Sequence, residues 1–160
     1  MRKVVVPGTF DPLTSGHLEV IDRASRLFDE VVVAVALSEG KGSGPLFSHA
    51  QRVELARQAV AYLGNVEVLA FDNLLVDFAR EIGAVAVVKG LRATTDFEYE
   101  FQMAALNYRL APDLETVFVT ASPDYTYISS SVVKELASMG GNISGMVPAN
   151  VECALKERFA

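Results

Sequence analysis

The sequence predicts an α/β fold built on one parallel sheet of five strands, with helices on both faces of the sheet. Apolar runs rich in β-branched residues alternate from end to end with segments of helical period, which is typical of parallel strands joined by helical crossovers. The runs have apolar residues on both faces, as strands buried on both faces require. Because no linker, internal repeat or low-complexity tract interrupts this order, we expect one Rossmann-like domain over residues 1–160.

Every stretch with candidate chemistry comes directly after one of the expected strands. These strands are expected over residues 3–6, 31–37, 66–70, 85–88 and 116–120. The carboxyl ends of parallel strands meet at one edge of a sheet, and ligands bind there, near the point where the strand order reverses. The loops that follow the strands are therefore expected to converge on one site.

Helix ends are predicted from capping residues. Ser48, followed three residues later by Gln51, has the pattern of a capping box, and Gly64 is expected to close that helix. Asn73 and Asn150 are expected to cap two shorter helices. Further helices are expected after His17 and over residues 96–110 and 130–139.

Composition and charge limit the classes of function. The formal net charge is −6, which argues against a protein that binds nucleic acid by general attraction to phosphate. A polyphosphate ligand would have to meet local positive charge. The single cysteine, Cys153, cannot form an internal disulfide, and the apolar run after Met1-Arg2-Lys3 is too short for a signal peptide. The cytoplasm is the expected location.

The first loop is the most informative stretch of the chain. Residues 8–17 read G-T-F-D-P-x-T-x-G-H, between an apolar run and an amphipathic helical segment. Glycines allow close approach to a ligand, and short hydroxyls add donors beside a helix N-terminus that favours anions. These residues are Gly8, Gly16, Thr9, Thr14 and Ser15, and His17 follows where the helix begins. The loop predicts phosphate binding, although it matches neither G-x-G-x-x-G nor G-x-x-x-x-G-K-[ST].

This loop resembles the T/HxGH signature of the nucleotidylyltransferase superfamily, whose members transfer a nucleotide's α-phosphoryl group to a phosphate or carboxylate. Later stretches are similar to the bacterial phosphopantetheine adenylyltransferases within it. They are Lys89-Gly90-Leu91-Arg92, Asp96-Phe97-Glu98-Tyr99-Glu100, and Ile128-Ser129-Ser130-Ser131 with Lys134-Glu135. The resemblance covers nearly the whole chain. It implies transfer of the adenylyl group of ATP to 4′-phosphopantetheine, which gives 3′-dephospho-CoA and pyrophosphate by direct in-line attack.

Four residues are catalytic candidates. His17 is expected to stabilise the transition state electrostatically and not as a base, because an attacking phosphate is already ionised. Its charge state stays open, since a helix N-terminus disfavours the imidazolium whereas phosphates favour it. Thr9 is expected to position the attacking phosphate, and Arg92 to supply positive charge. Lys41 is the only cation in a glycine-rich stretch, residues 39–44, that is expected to form a flexible flap.

The binding candidates rest partly on residue chemistry and partly on the resemblance. Two cations that flank Gly90 indicate phosphate binding, and aromatic residues followed by three serines suit adenine and a triphosphate. Nucleotide contacts are expected at Thr9, Phe10, His17, Gly90, Leu91, Arg92, Glu100, Tyr125, Thr126, Tyr127, Ile128, Ser129, Ser130 and Ser131. Contacts with the acceptor are expected at Thr9, Lys41, Leu75 and Lys89; the family usually has arginine at the last position.

Simpler structural interpretations of these residues remain open. Thr9 would serve as a turn-forming threonine and Lys41 as a solvated lysine. Glu100 would belong to a solvated acidic helix face, Leu75 to the core, and the serines would only cap a helix.

Alternative functions also remain open. A cytidylyltransferase or a nicotinamide-mononucleotide adenylyltransferase would carry the same first loop, and a noncatalytic ATP-sensing module would use the same fold. Mg²⁺ is the expected cofactor, because it binds through phosphate oxygens and water and needs no protein cage. The resemblance further implies a homohexamer and feedback inhibition by coenzyme A.

Overall fold

The computed structural model describes residues 1–37 and 43–160, apart from the side chains at positions 94 and 95. Five parallel strands form one sheet in the order β3-β2-β1-β4-β5. The strands are β1 Lys3–Gly8, β2 Glu30–Ala36, β3 Val66–Phe71, β4 Ala86–Leu91 and β5 Glu115–Thr120. Each predicted apolar run is a strand. The strand order reverses between β1 and β4, and this switch point places the ligand site.

Six helices connect and cover the strands within the described residues. They are α1 Ser15–Leu27, α2 His49–Val60, α3 Leu75–Glu81, α4 Thr94–Leu110, α5 Ser130–Ser138 and α6 Ala149–Arg158. Helices α1 and α2 cover one face of the sheet, and α3 lies on the other face beneath β1. The predicted α/β class, with a parallel sheet between helices, is confirmed. None of the described helices is both long and apolar enough to span a bilayer.

The core lies on both faces of the sheet. Val4 and Val6 of β1 belong to the cluster beneath α1 and α2, whereas Val5 belongs to the cluster beneath α3. Successive strand residues point to opposite faces, so a strand buried on both faces must be apolar at every position. A third cluster, beneath α5 and α6, includes Ile128 and Val133 and supports the N-terminus of α5.

Helix capping agrees with the sequence at one site and differs at three. Helix α2 ends at Val60 with Ala61 as its C-cap, so Gly64 does not close it. The capping box of α2 is present, since Ser48 Oγ accepts from the Gln51 N–H and Gln51 Oε1 accepts from the Ser48 N–H. Asn73 and Asn150 are not N-caps, so these two predictions are wrong. Asn73 stands one residue too early and donates to Glu81, while Asn150 lies inside α6 and donates to the Leu55 carbonyl.

Strand β4 extends farther than its apolar run predicted. Its pairing with β5 continues through Lys89, Gly90 and Leu91, which the sequence placed in a loop. The cause is the long-range ladder, which supplies hydrogen bonds to a segment whose lysine and glycine do not favour a strand. Gly90 is needed there, because a Cβ on it would lie 2.8 Å from Cγ2 of Val20. The last residues of β4 therefore form a wall of the ligand site.

Candidate active site

A cavity of about 330 Å³ opens at the carboxyl edge of the sheet, at the switch point between β1 and β4. The end of β1 and the first loop form one wall, the end of β4 and the start of α4 form a second, and the N-terminus of α5 forms a third. The lining residues from the predicted set are Phe10, His17, Lys89, Gly90, Arg92, Glu100, Ile128, Ser129, Ser130 and Ser131. Stretches far apart in the chain thus meet at one cavity.

His17 is fixed by a reciprocal cap at the start of α1. Thr14 Oγ1 accepts from the backbone N–H of His17, and Nδ1 of His17 accepts from the backbone N–H of Thr14 at 3.0 Å. Because Nδ1 accepts, the neutral imidazole carries its proton on Nε2. His17 therefore presents an N–H donor for a ligand in the cavity.

The surroundings of His17 keep its ring neutral. Burial of the ring lowers the pKa of His17 to about 4, and the positive charges of Arg92 and Lys89 act in the same direction. The charge state that the sequence left open is therefore the neutral one in the ligand-free protein. The Nε2–H of the neutral ring can still donate a hydrogen bond to a phosphate oxygen.

Phe10 packs its ring against His17. The ring centroids are 5.1 Å apart at an interplanar angle of 79°, which is an edge-to-face contact. The backbone of Phe10 is left-handed, with φ of 51°, and its side chain is buried. Gly8 makes room for this ring, because a Cβ at that position would lie 2.9 Å from the Cζ of Phe10. The glycine at position 8 thus permits the arrangement beside His17.

Two cations of the cavity are paired with carboxylates. Lys89 Nζ lies 3.3 Å from Glu100 Oε1, and Arg92 Nε lies 3.1 Å from Asp96 Oδ2. Arg92 also donates from Nη1 to the carbonyl of Ile128 at 2.8 Å. The two guanidinium contacts orient Arg92 between α4 and the segment before α5. An anionic ligand would compete with the two carboxylates for these cations.

The three serines at the start of α5 have different partners. Ser129 is the N-cap, and its Oγ accepts from the N–H of Val132. Ser130 donates its hydroxyl to the carbonyl of Pro12 at 2.8 Å, which joins α5 to the first loop. Ser131 is exposed at the cavity. Helix capping therefore explains only Ser129 of the three serines. The N-terminus of α5 remains a favourable place for phosphate.

A smaller cavity of about 80 Å³ lies on the other side of β4, between α3 and α4. Leu75 lines it together with Met103, Ala104 and Thr116. Lys89 and Glu100 line both cavities. Their ion pair therefore stands at the boundary between the two cavities.

Some predicted residues do not line the main cavity. The side chain of Thr9 is exposed, and its carbonyl accepts from Arg52 Nη1 at 2.8 Å. Leu91 is the last residue of β4, and the turn of Tyr125, Thr126 and Tyr127 lies beside the cavity with 66% of Tyr127 exposed. Lys41 and most of the expected flap lie outside the described residues. Their assignments stay predictions.

Three residues for which the sequence predicted no role bind the loops around the cavity together: Asp11, Arg52 and Lys134. Asp11 accepts from Lys134 Nζ at 3.0 Å, and Arg52 is the largest fully buried side chain described. One signal was available: an aspartate between Phe10 and Pro12 in a loop of small and apolar residues needs partners. Those partners come from distant parts of the chain, so the sequence did not identify them.

The cavity suits a metal that arrives with its ligand better than one held by a protein cage. No group of three or more metal-ligating side chains occurs in the described part of the chain. The carboxylates of Asp96 and Glu100 that line the cavity are each paired with a cation. A donor set of this kind fits Mg²⁺ bound through phosphate oxygens and water, the arrangement that this ion favours.

Together, the helix-terminal histidine, the two cations and the switch-point cavity define a class of protein that binds a polyphosphate and stabilises charge on it. The chain belongs to the cytidylyltransferase-like family, whose model matches residues 5–136. Over 156 residues it is 51% identical to the phosphopantetheine adenylyltransferase of Methylococcus capsulatus, covering 98% of this chain and 95% of that protein. The relationship that the sequence motifs predicted is confirmed.

Solved structures support the same fold. A protein of Vibrio parahaemolyticus, provisionally described as a nicotinate-nucleotide adenylyltransferase, superposes with a TM-score of 0.74 at 19% identity, covering 99% of this chain and 95% of that one. The lipopolysaccharide core biosynthesis protein of Thermoplasma volcanium superposes with a TM-score of 0.56 at 22% identity, covering 76% of this chain and 97% of that one. At these identities the likeness concerns the fold alone.

Proposed function

We propose that this protein transfers the adenylyl group of ATP to 4′-phosphopantetheine, giving 3′-dephospho-CoA and pyrophosphate. The observation that carries the proposal is the cavity at the switch point, where the neutral donor His17 faces Lys89, Arg92 and the N-terminus of α5. The 51% identity with a phosphopantetheine adenylyltransferase supports this choice of substrates. The whole chain acts as one catalytic domain, and the cytoplasm supplies both substrates.

The reaction is a direct displacement at phosphorus. An oxygen of the acceptor phosphate attacks the α-phosphorus of ATP, the bond to the β-phosphate oxygen breaks, and pyrophosphate leaves with the electron pair. The attacking phosphate is ionised near neutral pH, so no base has to remove a proton. The protein therefore contributes position and electrostatic stabilisation.

The residues around the cavity have separate roles in positioning the substrates and stabilising charge. His17 donates from Nε2 to an oxygen of the α-phosphate, where negative charge builds up in the transition state. The N-terminus of α5 and Arg92 bind the triphosphate. Lys89, at the boundary of the two cavities, binds the acceptor phosphate, and Leu75 lines the space for the pantetheine arm. Thr9 and Lys41 contact the acceptor in this proposal on the strength of the sequence alone.

A Mg²⁺ ion held by the phosphate oxygens of ATP and by water would neutralise charge on the pyrophosphate that leaves. The protein needs no cage of side chains for the ion. The carboxylates at the cavity instead orient Lys89 and Arg92. Glu100 also lies where it can contact the nucleotide.

The test is pyrophosphate release from purified protein with ATP, Mg²⁺ and 4′-phosphopantetheine. Release that requires the acceptor supports the proposal. Two further assays distinguish the proposed reaction from those of a cytidylyltransferase and a nicotinamide-mononucleotide adenylyltransferase. One replaces ATP with CTP, and the other replaces 4′-phosphopantetheine with nicotinamide mononucleotide. Turnover only with CTP, or only with another acceptor, would contradict it. A folded protein that binds ATP but releases nothing with any acceptor would instead be a sensor.

The assembly is proposed to be a homohexamer, and coenzyme A is proposed to inhibit it as a product-like ligand. Helix α4 exposes a set of large apolar side chains: Phe97, Tyr99, Phe101, Leu106, Tyr108 and Leu110. Exposed apolar surface of this kind marks a contact with another protein surface. Light scattering after gel filtration tests the hexamer, and a monomer would contradict it. Titration of activity with coenzyme A tests the inhibition.

A further inference from the structure

Arg52 of α2 is buried, with 1% of its surface exposed, and its guanidinium binds backbone carbonyls from three segments. Nη1 donates to the carbonyls of Thr9 at 2.8 Å and Ala36 at 2.7 Å, Nη2 to Leu37 at 2.8 Å, and Nε to Phe47 at 3.2 Å. A buried cation needs such partners, and the fork of arginine can bind several at once. Arg52 thereby joins the first loop to the end of β2 and the start of α2.

Asp11 forms a second connection two residues from Thr9. Its carboxylate, with the residue 5% exposed, accepts from the backbone N–H groups of Leu46 at 2.8 Å and Phe47 at 3.0 Å and from Lys134 Nζ at 3.0 Å. Burial alone would raise the pKa of Asp11, but these hydrogen bonds outweigh it and hold the pKa below its ordinary value. The ionised carboxylate therefore joins the first loop to the segment before α2 and to α5.

The two connections lie on either side of Phe10, whose backbone is left-handed. This conformation is costly for a bulky residue and persists only where the surroundings enforce it. Before Phe10, the carbonyl of Thr9 accepts from Arg52, and after it, the carboxylate of Asp11 accepts from the backbone N–H of Phe47. The enforced backbone turns the ring of Phe10 against His17, with the centroids 5.1 Å apart.

We propose that Asp11 and Arg52 are positioning residues for the reaction: by enforcing the backbone of Phe10, they hold its ring against the His17 ring and so, together with the Thr14 cap, keep Nε2 of His17 directed into the cavity. The inference rests on the proposed role of His17. Neither side chain lines the cavity, so both act through Phe10 and not by touching a substrate. Their loss should lower kcat more than it weakens binding of ATP, because a donor aimed at the transition state contributes mainly to kcat.

The experiment compares Arg52→Lys with Asn65→Ala as a matched control. Asn65 also links backbone carbonyls, since its Nδ2 donates to those of Ser25 and Phe28. It lies at the edge of the sheet opposite to the cavity. We expect Arg52→Lys to lower kcat about 10- to 100-fold and to change the KM for ATP by less than about threefold, in the range typical of lost positioning. Asn65→Ala should lower stability and leave kcat unchanged.

A second measurement keeps the proposal testable if Arg52→Lys does not fold. Lys134 is partly exposed and contributes one of the bonds to Asp11, so Lys134→Met is expected to fold and to lower kcat about three- to tenfold. In folded Arg52→Lys and Lys134→Met, NMR of the His17 ring should show a changed titration. The control Asn65→Ala, whose loss is purely structural, should leave that titration unchanged. Folded Arg52→Lys or Lys134→Met protein with wild-type kcat and His17 titration would overturn the proposal. The NMR measurement needs no turnover, so it separates failure of this inference from failure of the proposed reaction.

Discussion

The Nδ1 atom of His17 lies 3.0 Å from the backbone nitrogen of Thr14 and accepts a hydrogen bond from it. The His17 side chain therefore both caps the start of α1 and presents an N–H donor to the cavity. Protonation of Nδ1 would remove an acceptor from the cap, so the geometry and the burial of the ring favour the same neutral state. The nitrogen available to a ligand is Nε2.

The first prediction concerns the protonation of this ring. NMR with ¹⁵N-labelled histidine should show His17 as the Nε2–H tautomer at pH 7, with a pKa of about 4 in the ligand-free protein. Addition of ATP should raise that pKa, because nearby anions favour the imidazolium. The chain has two histidines, and the spectrum of His17→Ala assigns the signals. An Nδ1–H tautomer, or a charged ring at pH 7, would contradict the geometry.

Removal of the imidazole should affect the reaction much more than nucleotide binding. We expect His17→Ala to lower kcat by about 10² to 10³, the usual effect of losing one transition-state donor, while ATP binding measured by calorimetry persists. His49→Ala is the matched control, because His49 binds the carbonyl of Val35 and does not line the cavity. Wild-type turnover by His17→Ala would exclude the catalytic role.

Lys89 allows a test of where the acceptor phosphate binds. Its Nζ lies 3.3 Å from Glu100 Oε1, at the boundary of the two cavities. Lys89→Met keeps most of the side-chain length but removes the charge, so we expect the KM for 4′-phosphopantetheine to rise about 10- to 100-fold, the equivalent of one charged hydrogen bond. The KM for ATP should change less. Lys156→Met removes an exposed lysine of α6 that pairs with Glu152, and it should alter neither constant.

The fold could be predicted because its determinants are local in the sequence. The apolar runs predict the strands wherever they occur, and the Ser48 and Gln51 pattern predicts the start of α2. The end of β4 could not be predicted, since Lys89 and Gly90 are strand residues only through their pairing with β5. Asn73 was a wrong cap because the helix begins one residue later than its sequence indicates.

The site shows the same division between local and long-range determinants. His17 could be predicted, because its cap partner Thr14 is three residues away and both belong to one motif. Arg52 and Asp11 could not, because their partners are 43 and 123 residues away at Thr9 and Lys134. Lone charged residues in a helix or a loop are usually solvent-exposed. Only the fold shows that these two are buried and bonded.

Acid should destabilise the protein in two steps with different causes. His17 has a native pKa of about 4 against an ordinary 6.5, so the unfolded chain binds a proton in this interval and stability falls as pH decreases through it. The native pKa of Asp11 lies below its ordinary value of 3.8. The ionised carboxylate therefore stabilises the fold fully above the ordinary pKa, and this stability is lost as pH falls through the native pKa.

Urea denaturation between pH 7.5 and pH 4 measures the first of these steps. His17→Ala should flatten the dependence of the unfolding free energy on pH between about 6.5 and 4, because the variant lacks the group responsible. Asn65→Ala is the control, since it removes hydrogen bonds but no titrating group, and should lower stability by a similar amount at each pH. A slope in His17→Ala equal to that of the wild type would show that other groups cause the acid sensitivity.

The last prediction concerns the contact between β4 and α1 that forms the floor of the cavity. A Cβ on Gly90 would lie 2.8 Å from Cγ2 of Val20, which has 7% of its surface exposed and little room to move. We expect Gly90→Ala to lower the free energy of unfolding by about 1–3 kcal/mol, as overpacking of a core does. At Gly64, by contrast, an added Cβ meets no atom within 4 Å, so Gly64→Ala should change stability by no more than about 0.5 kcal/mol. The double variant Gly90→Ala with Val20→Ala removes the clashing methyl group, so it should be more stable than the sum of the two single effects predicts. Additive effects in this double-mutant cycle would show that the cost arises elsewhere than at Val20.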